Sequence, residues 1–266
     1  MKTLSRLYGA VLWLFAGVFI FAAADGIFNN QTIFFAYKPL VLLVGTALLC
    51  AAGVFAVRFI LKLPEIPLKT ERVAVPIIMA AYFAFLLYAG FSMRVQITPD
   101  WDFGVVLGAA ENYVATGAKL ADYFDLFYNN APLYVFFTAF LSLVKSLGFT
   151  DLTACAIVLN CATIMLSLVL MYFVLRKILG AKAAIFGFAC AGLCIGVFGY
   201  APIIYTDTLS MPFIVGAALI WLYAREAFAA GRLKRGVLLC AFFGAGVAVG
   251  AKVKVTCRHN AYCGFD

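Results

Sequence analysis

The side chains in this sequence that could carry chemistry are few and mostly acidic. Between positions 93 and 130 lie Asp100, Asp102, Glu111, Asp122 and Asp125, and the later segment YAPIIYTDTLSMPF adds Asp207. A carboxylate at the boundary between water and lipid can act as a general base, taking a proton from an attacking hydroxyl. Asp102 is the first choice for that role and Asp100 the second. Asp102 also suits the N-cap of a following helix, and one of its oxygens can cap while the other faces a cleft. Asp207 has the same two readings, a cap or a substrate contact. Lys254, at the end of a Gly-rich apolar run, is either a cation for a phosphate or a lysine reaching out of lipid from a helix end. Tyr123, Phe124, Phe127, Tyr128, Tyr134, Phe136 and Phe137 crowd around Asn130 in the chain. They fit an interfacial aromatic belt or a platform for a sugar or isoprenoid.

Cysteine and histidine offer less. Cys50, Cys155, Cys161, Cys190, Cys194 and Cys240 sit in apolar runs, where a thiol behaves as a small hydrophobe. Cys257 and the lone His259 look like metal ligands only superficially. A divalent metal held by carboxylates stays open, and no other cofactor is implied.

The elements that must position these residues follow from composition. The chain has 266 residues, 66% hydrophobic and 12% charged, with a mean hydropathy of +1.04. Soluble domains are about half apolar and a quarter charged. The chain is therefore expected to be an integral membrane protein, which excludes a secreted disulfide scaffold, a soluble enzyme domain and a DNA reader. The net charge of +8 comes from short basic clusters between apolar runs, the pattern of loops that orient helices and not of a nucleic-acid surface. Apolar stretches able to cross about 30 Å of hydrocarbon lie near 8–28, 40–61, 73–92, 153–175, 183–203, 209–223 and 236–251, with a shorter one at 131–147. Backbone groups in lipid must be satisfied internally and period-2 alternation is absent, so the fold class is all-α, a polytopic transmembrane helical bundle. The first run lacks a clear small-residue cleavage site and reads as a retained anchor.

Orientation rests on Lys and Arg, which stay cytoplasmic. The N-terminus and the 58–72 loop claim that side, as do Arg176, Lys177, Lys182, Arg225, Arg232, Lys234 and Arg235. Both groups are satisfied only if the 131–147 run does not cross. That topology puts the N-terminus in the cytoplasm of a multi-pass cell-membrane protein and gathers Asp100, Asp102, Asp207 and Lys254 on the outer face. Within the long outer loop, Val106, Ala109, Ala110, Tyr113 and Gly117 fall at helical spacing, predicting an amphipathic helix over 103–116 on the membrane surface.

Three features in order carry a family resemblance. They are the outer-loop Asp102 before a helix ending Ala115-Thr116-Gly117, the Tyr-Thr-Asp207-Thr-Leu segment, and the Gly-rich run ending Gly250-Ala251-Lys252-Val253-Lys254-Val255-Thr256. Together they resemble the GT-C membrane glycosyltransferases, in particular bacterial relatives of the protein O-mannosyltransferases and of the lipid A aminoarabinose transferase. The resemblance covers about 73–256, with 1–72 as two extra N-terminal helices. It implies an inverting transfer of a sugar from a polyprenyl-phosphate donor to a lipid, glycan or protein acceptor in the cell envelope. By the match Asp102 takes the catalytic acid position, with Asp100 second; Asp207, Tyr128 and Asn130 are substrate contacts, and Lys254 contacts the phosphate. The family's basic residue before Pro is replaced by Asn130-Ala131-Pro132, and Val255 stands where the family has Pro. The alternative class is a non-catalytic transporter or flippase-like subunit, whose ionisable residues should lie near the membrane midplane.

After Thr256 the composition changes abruptly to CRHNAYCGFD. A one-base frame shift would let an apolar helix resume, which would make the chain the N-terminal part of a longer transferase, truncated and inactive as written. A native polar tail over 257–266 is the alternative.

Overall fold

The computed structural model describes residues 39–94, 102–118 and 122–253. Among them every regular element is a helix, as the need to satisfy backbone hydrogen bonds within lipid requires. The chain divides into two compact units, Met1–Leu63 and Pro64–Asp266. The first contributes one described helix, α1 (Pro39–Lys62), long and apolar enough to cross a bilayer. The predicted 8–28 span and the 257–266 tail lie outside the described residues.

The second unit holds α2 (Leu68–Ser92), α3 (Asp102–Thr116), the short α4 (Asp122–Leu126), a 3-10 turn (Tyr128–Asn130), α5 (Ala131–Ser146), α6 (Leu152–Leu179), α7 (Ala181–Gly192), the single turn α8 (Ile195–Phe198), α9 (Thr206–Ala229) and α10 (Leu233–Val253). By length and composition α2, α6, α9 and α10 can cross a membrane.

Polar contacts at helix ends set their directions. Arg94, just past α2, makes a two-pronged ion pair at 2.8 and 2.9 Å with Asp151, the N-cap of α6. At the opposite end of the same helices Glu71 pairs with Arg176 and accepts from Tyr172. The two helices are therefore antiparallel. Lys177 of α6 reaches Glu226 of α9 at 2.7 Å, so α6 and α9 run in the same direction. Gly231, at φ 69°, turns the chain into α10. The closing contact uses small residues, as between lipid-embedded helices: a Cβ added at Gly250 of α10 would lie 3.3 Å from the Phe213 Cβ of α9.

The Arg94–Asp151 end, here the upper end, carries α3 and α5 side by side. Asp102 at the start of α3 lies beside Tyr205 at the head of α9, and Glu111 further along accepts from Thr153 at the head of α6 at 2.6 Å. The start of α5 is tied to the start of α3 through Asn130 and Tyr123. Its far end is tied to the end of α3, where Lys145 donates to the Val114 carbonyl at 2.7 Å. Both ends of α5 are thus tied to α3, and with 16 residues it is shorter than the helices long enough to span.

Two expectations change. The helix over 103–116 forms, but it is not a surface helix. Its Phe103, Val106, Leu107 and Ala110 are buried with Leu133, Phe137 and Leu141 of α5, Ala156 of α6, and Ile204 and Leu209. The apolar face meets protein because α5 stays at the same end and presents a matching stripe.

The 183–203 run, read as one span, is broken instead. α7 has 12 residues, about 18 Å of helix, which falls short of the hydrocarbon thickness. Gly196, Gly199 and Pro202 disfavour continuation, and the chain returns to the upper end through α8 and an irregular stretch to Tyr205. Irregular backbone at membrane depth has to be covered by protein. Asn160 of α6, fully buried, does this: its Nδ2 donates to the carbonyls of Tyr200, Ala201 and Ile203 at 2.7, 3.1 and 3.2 Å.

Candidate functional site

The site is assembled where α3, α4, the 3-10 turn and α9 meet at the upper end. Asp102 begins α3, held there by the buried α3–α5 face behind it. Its Oδ1 accepts from the Tyr123 hydroxyl of α4 at 2.8 Å, and its Oδ2 accepts from the Tyr205 hydroxyl at 2.8 Å. Asn130, only 2% exposed, donates its Nδ2 to the Tyr123 oxygen at 2.7 Å. Two phenols and one amide thus fix the carboxylate plane. Where the sequence offers an N-cap role for Asp102, both oxygens are engaged by phenols. A carboxylate has about four acceptor positions, so this part-buried group keeps room for a further hydroxyl donor.

Both phenols stay protonated. Burial first, and then the hydrogen bond to Asp102, push the Tyr205 hydroxyl up to about 12. The same causes, in the same order, raise Tyr123 well above the ordinary phenol range. Each remains a hydrogen-bond donor across physiological pH.

Aromatic packing positions Tyr123. Its ring lies 5.1 Å from Phe124 and 4.9 Å from Phe127, centroid to centroid, and Phe124 in turn meets Tyr134 at 4.7 Å. The aromatic crowd is therefore divided: Phe137 is fully buried core, Tyr123, Phe124 and Tyr134 are partly buried around it, and Phe127, Tyr128 and Phe136 are exposed. Tyr128 sits on the turn that carries Asn130, at the edge of the site.

Asp207 lies in the first turn of α9, two residues past Tyr205. It is not the cap, because Tyr205 occupies the N-cap position and its N–H is taken by the Thr208 hydroxyl. The Asp207 charge is near enough to contribute to the rise at Tyr205. Asp100 and Lys254 lie outside the described residues. Among the described residues no group of three or more His, Cys, Asp or Glu side chains could hold a metal ion.

Below this cluster a cavity of about 480 Å³ opens between α5, α6, α9 and α10. Pro132, Leu133 and Phe136 line one wall, Leu166 and Leu170 another, with Leu209, Phe213 and Val249 opposite. It starts two residues from Asn130 in the chain and two from Asp207, and its lining is almost wholly apolar. Asn130 and Tyr205, which help to fix the carboxylate, and a slot suited to hydrocarbon thus lie on neighbouring turns of the same helices, α5 and α9.

Of the residues singled out from sequence, the fold brings Asp102, Asn130 and Asp207 together, with Tyr128 beside them. The two phenols that hold Asp102 were not singled out for that role. Tyr205 stands 103 residues from Asp102 and Tyr123 stands 21 away, so only their place beside Asp207 and within the aromatic crowd could have marked them.

A family model described as "conserved hypothetical integral membrane protein" matches residues 8–254. The searches of curated proteins and of solved structures each gave no match.

Proposed function

The chain belongs to this family of integral membrane proteins, and from the site it carries we propose that it is a GT-C type membrane glycosyltransferase using a polyprenyl-phosphate-linked sugar. The observation that carries the reading is the Asp102 carboxylate, fixed by Tyr123 and Tyr205, with an apolar cavity whose lining begins two residues along the chain from Asn130 and from Asp207. In the proposed reaction Asp102 takes the proton of an acceptor hydroxyl as its oxygen attacks the anomeric carbon. The bond from that carbon to the phosphate oxygen breaks with inversion, and polyprenyl phosphate departs with the electron pair. Tyr123, Tyr205 and Asn130 orient the base, while Asp207 and Tyr128 face the sugar. Lys254 is assigned to the phosphate, where a cation would stabilise the developing charge. The upper end faces outward in this reading, so no nucleotide sugar is required. The acceptor is a lipid, glycan or protein of the cell envelope.

The test is turnover of a radiolabelled polyprenyl-phosphate hexose by the chain in proteoliposomes. The Asp102→Asn variant should keep its fold and lose transfer, and unchanged transfer would reject Asp102 as base. A second reading, a transporter-like subunit, draws on the broken α7–α8 stretch, since interrupted helices commonly line transport sites. Movement of the labelled lipid or its sugar across the vesicle without bond cleavage would favour it.

A further inference from the structure

The irregular stretch between α8 and α9 ends at Tyr205, one of the two phenols on Asp102. Nothing helical or strand-like holds that stretch, and its own backbone bonds are short turns such as Ala201 N–H to the Phe198 carbonyl and Ile203 N–H to the Tyr200 carbonyl. The long-range restraint comes from α6. The Asn160 amide nitrogen donates to three carbonyls within four residues, Tyr200, Ala201 and Ile203. Its own oxygen is buried and meets no donor among the described residues. The amide is thus turned with its donors toward the stretch at the expense of its acceptor, an arrangement that buried polar groups otherwise avoid. The next residue, Cys161, continues the contact, with its thiol 4.0 Å from the Ala201 carbonyl and 3.4 Å from the Leu86 carbonyl of α2.

We propose that Asn160 is a positioning residue of the site: by holding the carbonyls of 200–203 it sets where Tyr205 stands, and so which way the Asp102 carboxylate faces. Asn160 touches neither Asp102 nor the cavity and acts only through the backbone that leads to Tyr205. The proposal rests on the reading of Asp102 as the working carboxylate, but its test needs no turnover.

The experiment places 3-fluorotyrosine at position 205 of the full chain in lipid nanodiscs and follows its ionisation by fluorine NMR as pH is raised. Asp207 and Tyr200 also act on this phenol, so Asp102→Asn supplies the reference for loss of the Asp102 contact alone. Asn160→Leu keeps the volume and removes the donors. It should move the ionisation midpoint down to the Asp102→Asn value, a fall of about one pH unit or more, which is a tenfold or greater change in the ionisation constant. Asn160→Ser keeps one shorter donor and should fall between parent and leucine variant; it decides the matter if the leucine variant does not fold. A folded variant of either kind with the parent midpoint overturns the proposal. A shifted midpoint in a protein whose transfer does not depend on Asp102 would keep the positioning role and reject the transferase reading instead.

Discussion

At the scale of single residues, Asp102 is held by two phenols. A hydrogen bond to a charged group contributes about 1.5–3 kcal/mol when its partner is removed. Tyr123→Phe and Tyr205→Phe, each deleting one donor to the carboxylate, should lower stability by about that amount in the part-buried site, read as a drop in thermal unfolding temperature in detergent. The double variant should lose less than the sum, because both phenols serve one group. A charge test belongs to Asp151. The Arg94 guanidinium first, and then the Ala154 N–H, hold its carboxyl below the usual range. A lowered folded pKa gives stability that is present above the unfolded value, about 3.9, and lost as pH falls through the folded one. Its side chain is 53% exposed and that of Arg94 41%, so the pair contributes under about 1 kcal/mol. Asn is as good a cap as Asp. Asp151→Asn should therefore be slightly less stable than the parent at neutral pH and should converge with it as pH falls through the lowered folded value. Asp102 was legible in sequence because an acid beside a helix start in a long loop is conspicuous. Its phenols were not, since no local spacing joins positions 102, 123 and 205.

At the scale of elements, the long helices were legible because an apolar run of 20 or so residues has one stable form in lipid. The break between α7 and α9 was not, although Gly196, Gly199 and Pro202 mark it. Hydropathy rates that stretch as continuous, and only the partner on α6 shows why it can stay unwound. The surface placement of α3 failed for a related reason: an amphipathic stripe shows that a face is buried but not whether lipid or protein covers it. Close packing of α2 against α6 carries a prediction here. A Cβ at Gly90 would stand 2.8 Å from the Ile157 Cγ2 and 3.2 Å from the Cys161 sulfur. Gly90→Val should push the helices apart beside the Asn160 clamp at a cost of about 1–3 kcal/mol, measured as a lower unfolding temperature. Gly45→Val on α1, where nothing lies within 4 Å, should leave it unchanged.

At the scale of the whole molecule, the second unit has two different ends. The lower one is tied by ion pairs, Glu71 with Arg176, Lys177 with Glu226 and Lys182 with Glu65. The upper one carries α3, α5 and the Asp102 cluster. In a background without native cysteines, Thr150→Cys and Ala118→Cys should react with an impermeant thiol reagent from the same side, and Arg232→Cys only from the other. Reaction of positions 118 and 150 from opposite sides would mean that α5 crosses. The common end of Asp102 and Asp207 was legible from the charge rule; the cavity near them was not, because its walls come from two helix pairs, α5 with α6 and α9 with α10, that no local pattern joins. The central claim is that this cavity and Asp102 serve one lipid-linked substrate, and its most direct test needs neither the acceptor nor turnover. A polyprenyl-phosphate hexose bearing a photoactivatable group near the head of its prenyl chain is irradiated with the full chain in nanodiscs, and the labelled residues are mapped by mass spectrometry. The account predicts labels on Leu133, Phe136, Leu209 and Phe213, displaced by unlabelled donor; saturable labelling confined to the lower end, or labelling that unlabelled donor does not displace, would contradict it.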